Sequence, residues 1–209
     1  LTNLHSKNKE TSNEKEKEKE KLNLTISNLN TNLFKENSLS KDFIELYKIL
    51  NYTFKDEKIL RQALTRQSAI GERNPKASEN NYQRLEFFGD SLINLIISEM
   101  IFENCPEKTE DTLTPLRSDI VKNEFLAKLS QKIYLGKFVI IGKGEEKQNC
   151  RKNKNILADI LEAIIAAIYF DSEKNINLIK SFFFFHFGND IIKKIGNDEN
   201  YKISPFGLF

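Results

Sequence analysis

The stretch QRLEFFGD, residues 83–90, opens a long apolar run that continues from Ser91 to Phe102. An apolar run of this length with polar residues near its start predicts a buried helix. Two of these polar residues, Glu86 and Asp90, are four positions apart, so a helix places both carboxylates on one face, one turn apart. The stretch therefore predicts a core helix that carries a pair of acids.

A second apolar run, residues 156–170, contains only two charged residues, Asp159 and Glu162. Their spacing of three also places both on one helical face. Because burying an isolated carboxylate is costly, two acid pairs in apolar helices need a compensating partner. If the helices pack face to face, four carboxylates converge, and such an all-oxygen site suits Mg²⁺ or Mn²⁺ better than zinc. The alternative for either pair alone is a solvated helix edge or half of a salt bridge.

The order of these residues carries a family resemblance. RLEFFGDS at 84–91, followed by ILAD at 156–159 and Glu162-Ala163, closely resembles the two signature segments of the ribonuclease III family. Shorter matches occur at 52–56, 63–65, 116–118 and 121–123. The resemblance extends over residues 41–190. It implies an all-α ribonuclease III endonuclease domain that forms a homodimer.

This resemblance also implies a chemistry. Its catalytic and metal-binding residues would be Glu86, Asp90, Asp159 and Glu162, with Mg²⁺ as the ion and Mn²⁺ as a substitute. Two such ions promote phosphodiester hydrolysis, which here would cleave double-stranded RNA into products with a 5′-phosphate, a 3′-hydroxyl and short 3′ overhangs. The alternative is a catalytically weak double-stranded-RNA-binding or scaffold protein of the same fold, and a third reading is a plain helical interaction domain. Retention of all four acids favours the enzyme.

Two residues depart from the family pattern. Gln83 stands where many members have a glutamate, and it brings no charge for a second ion. Arg66 stands where a histidine often follows the threonine. We expect Gln83 and Lys122 to be accessory polar residues near the site. The two histidines are His5, in a polar tail, and His186, in an apolar run, so a serine–histidine triad is not expected.

The organisation along the chain follows composition and periodicity. Residues 1–38 form a charged, polar, low-complexity tail, residues 39–195 the ribonuclease III domain, and residues 196–209 a C-terminal tail too short for the usual double-stranded-RNA-binding domain. Between 135 and 146 the glycines predict a loop or short irregular helix, and 70–81 reads as a loop. Helices are predicted at 41–50, at 56–65, from Thr112 or Thr114 through Leu129, at 154–170 and at 176–195.

RNA contact would come from a local basic region, since the formal net charge of the chain is only +2. Residues 115–155 contain ten basic and four acidic side chains, although a merely solvated lysine-rich face has the same composition. Recognition of duplex RNA through phosphates and 2′-hydroxyls predicts modest sequence selectivity. The candidate RNA-binding residues are Arg117, Lys143, Lys147, Arg151, Lys152 and Lys154.

Two residues of the signature helix bear on packing. Gly89 allows either a helix backbone or a partner to approach closely. Phe87 is the candidate knob of a dimer interface, with a core phenylalanine as the alternative. The run at 182–185 predicts core or interface, because it has no interleaved basic residues for base stacking.

Two cysteines, Cys105 and Cys150, have no metal-ligand or disulfide-framework spacing, which favours a reducing compartment. No apolar run reaches the length of a membrane span. We therefore expect an intracellular protein, cytoplasmic or nuclear, with no membrane partner.

Overall fold

The computed structural model describes residues 43–70 and 81–196, and within them the predicted all-α fold is confirmed. Backbone contacts divide the chain between Glu45 and Leu46, and the candidate site lies in the second unit. The helices are α1 (Ile44–Leu50), α2 (Glu57–Leu64), α3 (Gln67–Ile70), α4 (Gln83–Asn104), α5 (Glu110–Val121), α6 (Asn123–Lys132), α7 (Lys143–Lys147), α8 (Lys154–Asp171) and α9 (Ile176–Gly196). None of them, within these two ranges, is long and apolar enough to cross a bilayer.

Helix α8 is the centre of the core. Residues Ile160, Leu161 and Ala163 to Ile168 are inaccessible to solvent, as expected for a helix that is apolar on all sides. The helix packs chiefly against α4 and α6 and also against α2. It starts at a defined residue because the Asn153 side chain accepts a hydrogen bond from the backbone N–H of Asn155 at 2.9 Å, an N-cap that satisfies a donor of the first turn. This arrangement places the acids of α8 beside α4, with Glu162 buried and Asp159 partly exposed.

The end of α8 is tied to the segment before α2. Asp171 accepts hydrogen bonds from the Tyr52 hydroxyl at 2.6 Å and from the backbone N–H groups of Lys55 and Asp56, both at 2.9 Å. Asp56 in turn caps α2, since its side chain accepts from the N–H of Lys58. One carboxylate therefore fixes the start of α2 relative to the central helix.

The prediction that a single helix runs from Thr112 or Thr114 through Leu129 is wrong in two ways. Helix α5 begins at Glu110, after an extended Thr109 whose hydroxyl bonds to Asp111, and its acidic first turn complements the helix dipole. Pro115 lies inside the helix instead of at its first position. The helix thus starts one turn before the position that the proline signal indicated.

The second correction concerns the end of α5. Lys122 adopts an extended conformation, with φ −67° and ψ 146°, which ends α5 and caps α6. Its carbonyl accepts from the N–H of Phe125 at 2.9 Å and of Leu126 at 3.1 Å. The apolar stripe continues across this break, and for that reason the periodicity of the sequence predicted one helix where the structure has two.

Between α6 and α8 the chain follows the predicted irregular course. A short 3₁₀ turn at Leu135–Lys137 leads to an isolated parallel bridge between Ile140 and Thr65, and α7 follows. In the bridge, the Ile140 N–H donates to Leu64 at 2.8 Å and its carbonyl accepts from Arg66 at 2.9 Å. The bridge holds α7 beside the end of α2. The predicted tails at 1–38 and 196–209, apart from residue 196, and most of the predicted loop at 70–81 lie outside the described residues.

Candidate active site

Three acids from two helices meet at the crossing of α4 and α8. Glu86 of α4 and Asp159 and Glu162 of α8 each offer a carboxylate oxygen, and these oxygens lie within 4.8 Å of one another. Glu162 is only 7% exposed, whereas Glu86 and Asp159 are partly exposed. We call these three residues the carboxylate cluster. As the helical spacing predicted, Glu86 lies on the side of α4 that faces α8, and Asp159 and Glu162 lie on the side of α8 that faces α4.

Burial and mutual repulsion make the cluster bind protons tightly. Burial raises the pKa of Glu162 to about 8, and the negative charges of Asp90, Asp159 and Glu86 add to this shift. Burial likewise raises the pKa of Glu86 to about 7, with Asp159 adding to the effect and the positive charge of Arg66 opposing it. Around neutral pH the cluster therefore favours bound protons or a bound cation.

The donor set fits a hard divalent cation. The cluster provides only carboxylate oxygens, the ligand type preferred by Mg²⁺ and Mn²⁺. Burial and, to a lesser extent, repulsion raise the pKa of Glu86 and Glu162; a cation there would offset both effects and replace the protons. Glu86, Asp159 and Glu162 are thus the residues that would hold the ion.

Asp90, the fourth predicted acid, lies outside the cluster. Its side chain is exposed and accepts a hydrogen bond from the Asn94 side chain at 2.9 Å. Its charge still contributes to the raised pKa of both Glu162 and Glu86. Asp90 therefore stands at the rim of the site, near enough to act on the cluster electrostatically.

Two residues that the sequence did not predict to be near the site, Tyr82 and Arg66, form a line of hydrogen bonds that ends at the cluster. The Tyr82 hydroxyl donates to Asp159 Oδ2 at 3.0 Å, and Arg66 Nη1 donates to the Tyr82 oxygen at 2.7 Å. Arg66 also pairs with Glu145 of α7. Neither tyrosine nor arginine belongs to a periodic pattern. The signal that could have found them is Arg66 itself, a charged side chain just after α2 at a position that departs from the family pattern.

The accessory residues have mixed positions. Gln83 is exposed at the start of α4, and its backbone N–H donates to the Asn81 side chain at 3.0 Å. Lys122 pairs with Asp119 at 3.0 Å, and no contact among the described residues joins it to the cluster.

The six candidate RNA-binding residues separate into two groups. Arg151 pairs with Glu146 at 2.7 Å and donates to the carbonyls of Gly136, Lys137 and Val139. Arg117 donates to Ser98 at 3.3 Å, and Lys154 pairs with Glu124 at 3.3 Å. The second group is exposed and makes no ion pair among residues 43–70 and 81–196; it comprises Lys143, Lys147 and Lys152.

Phe87 is 77% exposed, so the alternative that it is a core residue is wrong. It borders an open depression of about 660 Å³ whose floor includes Leu85, Phe88 and Phe170. Phe88 stacks at a tilt on Tyr169 and Phe170, with ring centroids 5.5 Å and 4.9 Å apart. An exposed aromatic beside an aromatic depression is a feature of protein interfaces.

Comparison with known proteins agrees with this architecture. Residues 56–184 match a family model described as Ribonuclease-III-like. The chain is 42% identical to Ribonuclease 3 of Idiomarina loihiensis over an alignment of 129 residues. This alignment covers 62% of this chain and 53% of that protein. The chain is 38% identical over 138 residues to Ribonuclease 3 of the Wolbachia of Brugia malayi, covering 66% and 56%. The chain thus spans little more than half the length of these relatives.

Solved structures agree as well. One structure of the nuclease domain of Ribonuclease III from Campylobacter jejuni superposes with a TM-score of 0.62 at 30% identity and covers 74% of this chain and 99% of that one. That structure is described as showing flexibility in a region involved in dimer formation. A second structure of the same domain has a TM-score of 0.62 at 28% identity, covering 79% and 100%.

Proposed function

The chain belongs to the ribonuclease III family, and on that premise we propose that it is a divalent-metal-dependent endonuclease that cleaves double-stranded RNA. The products would carry a 5′-phosphate, a 3′-hydroxyl and short 3′ overhangs. The observation that carries the proposal is the carboxylate cluster, because it groups the buried Glu162 with the partly buried Glu86 and Asp159, and acids held together in this way are costly without a cation. A plain helical interaction domain would have no use for them.

The four acids divide the work of the site. Glu86, Asp159 and Glu162 would hold the ions, and Asp90 at the rim would add negative charge on the solvent side. When bound, Mg²⁺ or, as a substitute, Mn²⁺ would lower the pKa of the attacking water and offset charge on the phosphate. Because Glu162 is buried and Asp159 is hydrogen-bonded to Tyr82, these carboxylates keep their positions before the substrate arrives.

Duplex RNA would be held through its backbone. Lys143, Lys147 and Lys152 are exposed and have no acidic partner among the described residues, so they are available to phosphates. Arg117, Arg151 and Lys154 would contribute their charge while keeping their contacts within the protein. Contacts of this kind favour duplex shape over sequence.

The active form would be a homodimer in which Phe87 enters the partner. The exposed Phe87 ring and the depression of about 660 Å³ beside it support this proposal, because a two-fold interface brings the same surface of both copies together. Two such domains would cut the opposite strands of one duplex. An RNA substrate and two free cysteines, Cys105 and Cys150, also fit a reducing compartment inside the cell, the cytoplasm or the nucleus.

The test is cleavage of a long labelled RNA duplex in Mg²⁺, with single-stranded RNA of the same sequence as a control. The parent protein is compared with Glu162→Gln and with the parent in excess chelator. We expect cleavage with short 3′ overhangs in the parent alone. If the parent binds the duplex but leaves it intact across a range of Mg²⁺ and Mn²⁺ concentrations, the endonuclease is refuted and the RNA-binding scaffold replaces it.

A further inference from the structure

A line of hydrogen bonds leads from Asp159 away from the carboxylate cluster. Asp159 accepts from the Tyr82 hydroxyl at 3.0 Å, and Tyr82 accepts from Arg66 Nη1 at 2.7 Å. Tyr82 is only 6% exposed, and the Arg66 guanidinium carbon lies 5.4 Å from the centroid of its ring. The hydroxyl is therefore held between a cation and a candidate metal ligand.

The direction of the proton in this line is determined by chemistry. A guanidinium group only donates hydrogen bonds, so the Tyr82 oxygen must be the acceptor of its contact with Arg66. The single proton of the hydroxyl is then left for Asp159 Oδ2. A hydroxyl group without a cation on its other side could either donate to Asp159 or accept from a neighbour. Because Arg66 occupies the acceptor side of the Tyr82 oxygen, the Tyr82 hydroxyl can only donate to Asp159. Asp159 thus receives a donor of fixed orientation on one of its two oxygens.

Arg66 is itself held rigidly. Its Nε and Nη2 atoms donate to the Glu145 carboxylate at 3.0 Å and 2.9 Å, a forked geometry that specifies orientation. The Ser68 hydroxyl donates to the same carboxylate, and the Gly142 N–H donates to the Ser68 oxygen at 3.0 Å. Both partners of the Arg66–Glu145 pair are largely buried, with side chains 19% and 22% exposed.

From this geometry we propose that Tyr82 and Arg66 are positioning residues that orient the Asp159 carboxylate for a divalent ion. This inference rests on the proposed metal-dependent function and assigns residues to it beyond the four acids. A donor to one oxygen restricts rotation of the carboxylate and so reduces the cost of ordering it when the ion binds. Arg66 also provides a positive charge that acts on both Asp159 and Glu86, and it offsets their repulsion.

The experiment is a calorimetric titration of the metal-free protein with Mn²⁺, which measures binding without reference to cleavage. Tyr82→Phe removes only the hydroxyl, and we expect it to weaken Mn²⁺ binding by about tenfold, the lower range for loss of a residue that supports a metal ligand. The matched control is Tyr52→Phe, because Tyr52 donates to Asp171 Oδ2 at 2.6 Å away from the cluster. The control is expected to bind Mn²⁺ as the parent does.

A second variant tests the role of Arg66. Arg66→Lys keeps the charge and loses the fork, and we expect weaker Mn²⁺ binding. If both residues act through one path, the double variant binds no more weakly than Tyr82→Phe alone, whereas independent effects would add. In cleavage assays the same variants should need more Mg²⁺ for half-maximal rate and regain parental rates at saturating Mg²⁺.

The outcomes separate this inference from the proposed function. Parental Mn²⁺ affinity in Tyr82→Phe, or equal weakening in Tyr52→Phe, overturns the positioning role while cleavage by the parent still supports the endonuclease. If Tyr82→Phe does not fold, Arg66→Lys decides, and parental Mn²⁺ affinity in that variant overturns the role. A parent that binds no Mn²⁺ and cleaves no duplex overturns both.

Discussion

The backbone of α4 at Gly89 lies directly against the backbone of α8 at Glu162. A β-carbon built on Gly89 would be 1.9 Å from the Glu162 carbonyl oxygen and 2.5 Å from its carbonyl carbon. The neighbouring atoms are backbone and cannot rotate away. Glycine at this position therefore permits the close approach that brings Glu86 to Asp159 and Glu162, and the prediction of a close backbone approach at Gly89 is confirmed.

The first prediction follows from that contact. Gly89→Ala is expected to push α4 from α8 and to lower the free energy of unfolding by about 3 kcal/mol, at the upper end of overpacking costs. Thermal unfolding followed by circular dichroism measures the loss. Gly144→Ala is the control, since a β-carbon there meets nothing within 4 Å and lies in helix α7; it should be neutral or stabilise by up to about 1 kcal/mol. Equal melting temperatures for the two variants would contradict the argument.

The stability of the fold is expected to depend on pH through the protonation of the carboxylate cluster. Glu162 and Glu86 ordinarily have a pKa of 4.5, and the fold raises these values to about 8 and about 7. Between pH 4.5 and 8 the folded state holds protons that the unfolded state releases, so stability falls as pH rises through this window. We expect the melting temperature of the metal-free protein to decrease from pH 5 to pH 8.

The matched variant is Glu162→Gln, which keeps the shape of the side chain and removes its charge. It should flatten the decrease and raise the metal-free melting temperature at pH 8, by about 2–4 °C for each kcal/mol gained in a chain of this size. Mg²⁺ should stabilise the parent at pH 8 more than at pH 5 and leave the variant unchanged. A parent whose melting temperature rises steadily from pH 5 to pH 8 without metal would refute this account of the cluster.

Phe87 is expected to determine the oligomeric state. Burial of a phenylalanine contributes about 2 kcal/mol, and a two-fold interface loses both copies at once. Phe87→Asp should therefore raise the dissociation constant of the dimer about a thousandfold. Light scattering coupled to size-exclusion chromatography measures the mass. Tyr134→Asn is the control, because Tyr134 is 69% exposed and its positive φ of 55° suits asparagine. A Phe87→Asp protein that remains dimeric at low micromolar concentration would exclude the interface.

The three exposed lysines of the second group of candidate RNA-binding residues are expected to affect how RNA affinity depends on salt concentration. Replacing Lys143, Lys147 and Lys152 by alanine in a Glu162→Gln background should weaken duplex RNA binding equally for unrelated sequences. The slope of log affinity against log salt should fall by about one for each lysine that contacts a phosphate. The matched control replaces the same residues by arginine, which keeps the charges. Unchanged affinity and slope in the alanine variant would leave these lysines as a solvated face.

Gln83 offers a gain-of-function test. Gln83→Glu adds a carboxylate at the exposed start of α4, at the position where many family members have an acid. We expect cleavage to reach half its maximal rate at a lower Mg²⁺ concentration, because the added charge attracts cations to the site. Gln83→Ala, with no charge, is the comparison and should not show the gain. If Gln83→Glu and Gln83→Ala need the same Mg²⁺ concentration, the amide at this position is not what limits ion binding.

The sequence by itself determined the local features of the protein, namely where the main helices lie and which side chains share a helical face. The apolar runs predicted α4 and α8, and spacings of four and three placed Glu86, Asp90, Asp159 and Glu162 on helical faces, because helix geometry is set within a few residues. The local rules failed where two signals competed, as at Lys122, where an apolar stripe continued across a break.

Tertiary structure decided which of these side chains meet. Contact between α4 and α8 at Gly89 brought three acids together and left Asp90 at the rim. Tyr82 meets Asp159 across 77 residues and Arg66 meets Glu145 across 79, and no periodicity reports such pairs. Folding likewise turned Arg151 toward three carbonyls and left Phe87 in solvent. Each of these outcomes depends on how helices approach one another in space, which is a property of packing and not of spacing along the chain.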